Sequence, residues 1–301
     1  MGTGVGGMSE YVCRQRKLLA TGVTMHTIRV AVVQMTSTED EDLNLVQIER
    51  LVARAVAQGA AFVVLPENAA WLRIGDAVNP GHRLGHSAVL SRLASLAQAH
   101  RISLLLGSIL IARGEGERPT NTSLLFDLEG RVVARYDKIH LFRVDIGPGA
   151  SFDETRHISA GDTPVVAGIA GIRVGMTICY DLRFPGLFQA LRHAGADIIA
   201  VPSAFTVPTG RDHWEVLLRA RAIETQCYVV AAAQWGYHGG QRTSFGRSCI
   251  IDPWGTVLAC VADGVGFAVA DLDLERMRTI RKALPCAEHI VKLAAVADTS
   301  G

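Results

Sequence analysis

Three polar residues stand where apolar runs end, and their types could carry out acyl transfer. Glu67 follows the run 61–65 in L-P-E-N, Lys138 follows 132–136 in D-K-I-H-L-F, and Cys179 closes 172–178 in I-C-Y-D-L-R-F-P. Hydrolysing an amide takes a nucleophile, a base for its proton, donors for the oxyanion and an acid for the departing amine. A thiol attacks as the thiolate, and nearby cations lower its pKa. A cysteine between a strand and a turn can be held at a sharp bend with its sulfur exposed, as serine is in strand-to-helix elbows. Charged residues at strand ends can converge beyond the sheet edge, where α/β folds place their sites. Each residue also has a plainer reading. Cys179 could fill a core gap, Glu67 after Pro66 could begin a helix, and Lys138 could be a solvated strand end.

The elements that must position these residues alternate along the chain. Residues 27–35, rich in β-branched side chains, read as a strand. Asp40 and Asp42 precede a helix over 43–58, with apolar positions at 45, 48, 51, 52, 55 and 56 and a stop at Gly59. A buried strand at 61–65, a helix at 87–100 and a strand at 102–111 follow. Segments 122–127 and 132–136 read as a hairpin that delivers Lys138, and 146–163 as a Gly-rich surface loop. Beyond the strand 172–178 come a helix at 187–193, a strand at 197–201, a helix at 212–225 and a strand at 228–233. A hairpin of 248–252 with 256–260, a strand at 266–271 and a helix at 272–282 complete the pattern. Strands joined by crossover helices give an α/β fold. Many strands lack a polar face, as expected if two sheets pack face to face with helices outside. No linker or repeat breaks the pattern, so 27–290 reads as one domain, with 1–26 a disordered extension and 291–301 a tail.

Composition narrows the function classes. The 301 residues are 49% hydrophobic and 20% charged, with a net charge of +1. No bulk electrostatic case exists for nucleic acid or an anionic membrane. The six cysteines (13, 179, 227, 249, 260 and 286) contain no C-x-x-C, and they form no zinc-type cluster with the histidines. No metal is therefore expected, and a reducing cytoplasm is the simplest location. Cys227, Cys249 and Cys260, in or beside strands, are expected to be inert. Within 1–25 the apolar run 18–20 is too short for a secretory core or a membrane span. Met8 and Met25 are alternative starts, and a targeting role is a weaker reading supported by Glu10 being the only acid there.

Taken jointly, L-P-E-N at 65–68, D-K-I-H-L-F at 137–142 and I-C-Y-D-L-R-F-P at 178–185 resemble the three signatures of the nitrilase superfamily of carbon–nitrogen hydrolases. The resemblance runs from about residue 28 to 285. It implies a four-layer α-β-β-α sandwich, a Glu67–Lys138–Cys179 triad and no cofactor. It also implies subunits paired through outer helices into a homodimer or larger homo-oligomer. Stretches 202–210, 213–234 and 252–257 are similar to the branch of deaminated glutathione amidases and ω-amidases, and R-A-I-E-T-Q-C-Y-V-V-A-A-A-Q favours the former.

That branch implies hydrolysis of a terminal carboxamide on a small carboxylate-bearing substrate, to acid and ammonia, through a Cys thioester. F-D-E at 152–154 matches a second glutamate, Glu154, which would orient Lys138 and the substrate amide; the plainer reading is a solvated loop acid. Lys138 and the backbone N–H of Tyr180 would hold the oxyanion. Arg183 matches a carboxylate-binding arginine, with Phe205 and Thr209 lining the same pocket; its alternative is a structural pair with Asp181. Two departures stand out: Gly186, where relatives usually carry Glu, and a tail without the usual Arg-rich ending. Rivals are an ω-amidase on short α-keto acid amides, an N-carbamoyl amino acid hydrolase and a nitrilase. A non-catalytic scaffold of the same fold is the rival from another class. The expected partners are a small amide and water, with no nucleic acid and no membrane.

Overall fold

Side-chain alternation along the first strands separates two cores. In β1 (Thr27–Met35), Val30 and Val32 pack on one side, while Ala31, Val33 and Met35 pack on the other. The helix α1 (Glu41–Ala57) follows, with the Asp40 carboxylate accepting from the Leu43 N–H at 3.0 Å. This cap starts the helix two residues before the start read from the sequence at 43. Next come β2 (Phe62–Val64), α2 (Ala88–His100, capped by Ser87), β3 (Ser103–Ile111), and the hairpin β4 (Thr120–Phe126) and β5 (Val132–Asp137). The computed structural model describes residues 27–75, 77–145 and 151–291. The expected extension 1–26 and nearly all of the tail 291–301 lie outside the described residues.

The region read as a loop, 146–163, contains β7 (Ser151–Asp153), which pairs antiparallel with β6 (Arg143–Asp145) just before it. A hairpin of β8 (Val165–Ile169) and β9 (Ile172–Met176) follows, turning at Ala170 and Gly171, both at positive φ. The helix α3 (Pro185–His193), β10 (Ile198–Ala200), α4 (Val207–Thr225) and β11 (Tyr228–Ala231) come next. Then β12 (Ala233–Gly239) pairs with β13 (Arg242–Phe245), and β14 (Cys249–Ile251) with β15 (Val257–Cys260). β16 (Gly266–Asp273) and α5 (Leu274–Ala283) close the described chain.

Two sheets result. One runs β13-β12-β1-β2-β3-β4-β5, with β16 antiparallel to β1; the other runs β15-β14-β11-β10-β9-β8. Val30, Val32, Phe62 and Val64 share a core with Val174, Met176 and Ile198 of the second sheet. Ala31, Val33, Val63 and Leu65 instead meet Leu45, Ile48 and Leu51 of α1 and Leu93 of α2. On the far side, Phe188 of α3 and Trp214 and Leu218 of α4 cover the second sheet. The architecture is the four-layer α-β-β-α sandwich, and burial on both faces explains the continuous apolar runs.

Three departures from the sequence reading have physical causes. The run 228–233 is not one strand: it leaves the second sheet after Ala231 and joins the first at Ala233, beside Gln34. The β12–β13 hairpin therefore has no separate apolar signal. Helix α4 begins at Val207 because Pro208 lies in its first turn, where proline needs no N–H partner. Gly210 follows there because a β-carbon would lie 2.3 Å from the Phe245 Cβ. No helix among the described residues is long and apolar enough to cross a membrane.

Candidate active site

Three strand ends meet in one cleft. Glu67 follows β2 and Lys138 follows β5 of the first sheet, while Cys179 follows β9 of the second. Lys138 Nζ donates to Glu67 Oε1 at 2.9 Å and to Glu154 Oε2 and Oε1 at 2.9 and 3.1 Å. Lys138 and Glu67 are 1% and 3% exposed, so each charge is held by the other rather than by water. Burial works to raise the Glu67 pKa, but the Lys138 ammonium outweighs it and holds the carboxyl below its ordinary value. Burial likewise opposes the Lys138 charge; Glu154 and Glu67 overturn this and hold the amine well above its usual range. Glu154 begins a 3-10 turn directly after β7, and its Oε2 also accepts from the Phe142 N–H at 2.7 Å. It is thus tied into the site and is not a solvated loop acid.

Cys179 has φ +51°, in the left-handed region that residues with a β-carbon seldom occupy. Its N–H donates to the Pro202 carbonyl at 2.8 Å, and it opens the 3-10 turn Cys179–Arg183. The fully buried Asp181 braces that turn. Its carboxylate accepts from the Ile178 N–H at 2.8 Å, the Tyr136 hydroxyl at 2.6 Å and the His140 N–H at 3.0 Å. Burial, then the Glu67 charge, push the Cys179 thiol well above its ordinary pKa, against the opposite pull of Lys138. The expectation that a cation would depress this thiol is corrected: two carboxylates already face the Lys138 charge. The resting sulfur is therefore a thiol within the field of the Glu67 carboxylate.

Arg183, Tyr180, Phe205 and Thr209 line one pocket with Cys179. The Arg183 guanidinium lies 5.9 and 5.5 Å from the Tyr180 and Phe205 ring centres and 3.4 Å from His213 Nδ1. It forms no ion pair with Asp181, whose carboxylate is engaged by the contacts above. Gly186 faces open space, so the missing glutamate leaves no gap in the packing. Cys227 and Cys249 are buried as expected, whereas Cys260 is exposed and so is not shielded by its strand.

Three further groups enter the site that sequence reasoning did not single out. Asn121 on β4, 1% exposed, donates through Nδ2 to Glu67 Oε1 at 2.9 Å and to Glu154 Oε1 at 3.3 Å. The Ala204 N–H donates to Glu67 Oε2 at 2.9 Å. Arg242 on β13 lines the adjoining 690 Å³ cavity together with Phe142, Ala204 and Thr209. The one usable signal was the polar run T-N-T-S at 120–123, opposite the mostly apolar β3.

Known proteins resemble this chain over most of its length. The model of the carbon-nitrogen hydrolase family matches residues 29–282. The deaminated glutathione amidase of Yersinia enterocolitica is 40% identical over 276 residues, covering 88% of this chain and 93% of that protein. The human protein of the same name is 40% identical over 285 residues, covering 92% and 86%. Among solved structures, the C. elegans NitFhit protein aligns with a TM-score of 0.81 at 35% identity, covering 89% of this chain and 66% of its own. Saccharomyces cerevisiae Nit3, described as a member of branch 10 of the nitrilase superfamily, aligns at 0.77 and 29% identity, covering 86% and 95%. With a family model spanning nearly the whole described chain and a buried acid, lysine and thiol at its strand ends, the chain belongs to the carbon-nitrogen hydrolase family of the nitrilase superfamily.

Proposed function

We propose that this amide hydrolase acts on small carboxylate-bearing amides of the deaminated glutathione kind, with Cys179 as nucleophile, Glu67 as base and acid, and Lys138 as oxyanion donor. The observation that carries this reading is the buried Glu67–Lys138–Glu154 cluster beside a strained cysteine. Glu67 takes the thiol proton as sulfur attacks the carbonyl carbon and the C–S bond forms. Lys138 and the Tyr180 N–H receive the oxyanion; the latter lies in the first turn of a helical segment, where N–H groups have no intrahelical acceptor. A donor of this kind is worth roughly 3–4 kcal/mol in the transition state. The C–N bond then breaks as Glu67 returns the proton to nitrogen. Water, deprotonated by Glu67, attacks the thioester; the C–S bond breaks, Glu67 returns that proton to sulfur, and the acid leaves. Glu154 fixes the lysine, and Arg183 receives the acyl-side carboxylate through its planar fork.

The substrate assignment draws on the names of the relatives. It is tested by acid release from a panel of deaminated glutathione, α-keto acid amides, N-carbamoyl amino acids and nitriles. Turnover of the first two and its loss in Cys179→Ala are expected. Substantial turnover by Cys179→Ala, or a preference for nitriles, would overturn the reading. The chain is further proposed to work as a homodimer joined through the outer face of α4, where Val216, Ile223 and Trp254 stand exposed, in a reducing cytoplasm that keeps its thiols free.

A further inference from the structure

Arg242 is a cation for which the triad has no use. Its Nη1 donates to the Arg73 carbonyl at 2.8 Å, and its guanidinium lies 5.8 Å from the Phe152 ring centre. It forms no ion pair with a carboxylate among the described residues. Yet it sits within electrostatic reach of Glu67, Glu154 and Cys179. It lines two adjoining cavities, a small one with Asn121 and Glu154 and the 690 Å³ one with Phe142, Ala204 and Thr209. The last three also line the pocket of Cys179 and Arg183. Among the described residues the cleft therefore holds three arginines: Arg183 beside the thiol, and Arg242 with Arg73 lining the cavities on the side of Glu154.

The two sides of a bound amide are chemically distinct. Its nitrogen must face Glu67, the group that protonates it, so the acyl chain runs toward Arg183. Whatever the nitrogen carries extends toward Arg242. Asn121 supplies a second observation on that side. Its Nδ2 serves two carboxylates, which only accept, so the amide orientation is fixed and Oδ1 is the other atom. That Oδ1 is buried without a hydrogen-bond partner. A buried acceptor calls for a donor, and the N–H of a secondary amide is one.

We propose that Arg242 is a specificity-determining residue that receives the anionic group carried on the amine side of the scissile bond, and so sets the preference for such amides over simple carboxamides. The proposal rests on Cys179 as nucleophile and Glu67 as proton carrier. The bond balance is unchanged: C–S forms, C–N breaks, the thiol proton reaches nitrogen through Glu67, and the product is a free amine bearing a carboxylate. Arg suits this task because its fork binds a carboxylate at two points.

The test crosses enzyme charge with substrate charge at constant acyl group. Three compounds are compared: deaminated glutathione, the same compound with its glycine carboxylate capped as an N-methylamide, and the primary carboxamide of the same acyl half. Capping is expected to lower wild-type kcat/KM at least tenfold. Arg242→Gln should lose a similar factor on the uncapped compound and erase the difference between capped and uncapped. Its loss on the primary carboxamide should be at least tenfold smaller. Arg242→Lys, which keeps the charge without the fork, should fall between. Equal losses on all three compounds would mean that Arg242 only balances Glu67 and Glu154, and would overturn the proposal. So would a wild-type enzyme indifferent to the cap, a measurement that needs no variant to fold. Absence of wild-type turnover on all three overturns the amide-substrate reading itself, an outcome distinct from turnover without preference.

Discussion

At the scale of single residues, the site works by keeping its groups in unequal protonation states. Burial raises the Cys179 thiol and would raise Glu67, but Lys138 outweighs burial at the carboxylate. The ground state is thus a neutral thiol beside an anionic base, and the thiolate forms only as it attacks. This fixes the sign of the pH dependence. Glu67 has a depressed folded pKa, so its contribution to stability is complete above the ordinary value of 4.5 and is lost as pH falls through the folded value. Activity follows the same group. A kcat/KM profile should be flat between 4.5 and 9.0, the ordinary glutamate and cysteine values, with its acid limb below the former. The limb belongs to the coupled Glu67–Cys179 pair. Glu67→Gln should remove the acid limb with nearly all activity and let a trace of acyl-enzyme persist on Cys179, seen as added mass on the intact protein. A Glu67→Gln enzyme with wild-type rate and pH profile would show that another group is the base. The three residues of the proposed triad were legible because each ends an apolar run inside a distinctive motif. Asn121 and Arg242 were not, because an amide in T-N-T-S and an arginine in Q-R-T-S look like any polar strand residues. Their role arises only when β4 and β13 are laid beside the ends of β2 and β5.

At the scale of elements, the site depends on backbone crowding that residue types alone do not disclose. Gly107, within β3, lies under the turn that carries Glu67. A β-carbon there would stand 1.9 Å from the Leu65 carbonyl and 2.6 Å from the Pro66 carbonyl carbon. These are backbone atoms and cannot rotate away. Gly107→Ala should therefore displace the 65–68 turn, destabilise by about 1–3 kcal/mol as overpacking does, and cut kcat more than KM because Glu67 loses register with Lys138. Denaturant unfolding and steady-state kinetics together check this. A fully active Gly107→Ala enzyme would mean that the turn tolerates the shift. The same logic explains which elements the sequence disclosed. Helices α1 and α2 carry caps and apolar spacing and were read to within two residues. The start of α4 was missed because P-T-G reads as a turn, and β12 was missed because one apolar run serves two sheets. Asp181 lay in plain view inside the nucleophile motif. Its use, the hydrogen bonds that hold the strained Cys179 turn, depends on the distant Tyr136 and His140.

At the scale of the whole molecule, the layer that holds the nucleophile also offers an uncovered apolar stripe. Val216, Arg219 and Ile223 recur at helical spacing on the outer face of α4, and Val216 and Ile223 are 68% and 51% exposed. The turn carrying Trp254, itself 59% exposed, lies against them, and Arg219 Nε donates to the Gly255 carbonyl at 2.9 Å. In the proposed homodimer these side chains form the seam. The inner face of the same helix serves the site. Arg221 Nε donates to the Leu182 carbonyl in the nucleophile turn at 3.0 Å, and Thr209 lines the Cys179 pocket. Pairing through the outer face would therefore stiffen the helix that steadies the nucleophile. Light scattering coupled to size exclusion should give twice the 32.3 kDa chain mass. Val216→Glu with Trp254→Glu places like charges in the stripe without touching the core, so a folded monomer is expected. That monomer should lose activity by about tenfold, the scale of a 1.4 kcal/mol change in positioning, with kcat falling and KM little changed. A wild-type chain that runs as a monomer at micromolar concentration removes the interface from the stripe. A monomeric double variant with full kcat leaves the interface in place but breaks its link to Cys179, because Arg221 would then hold the nucleophile turn unaided.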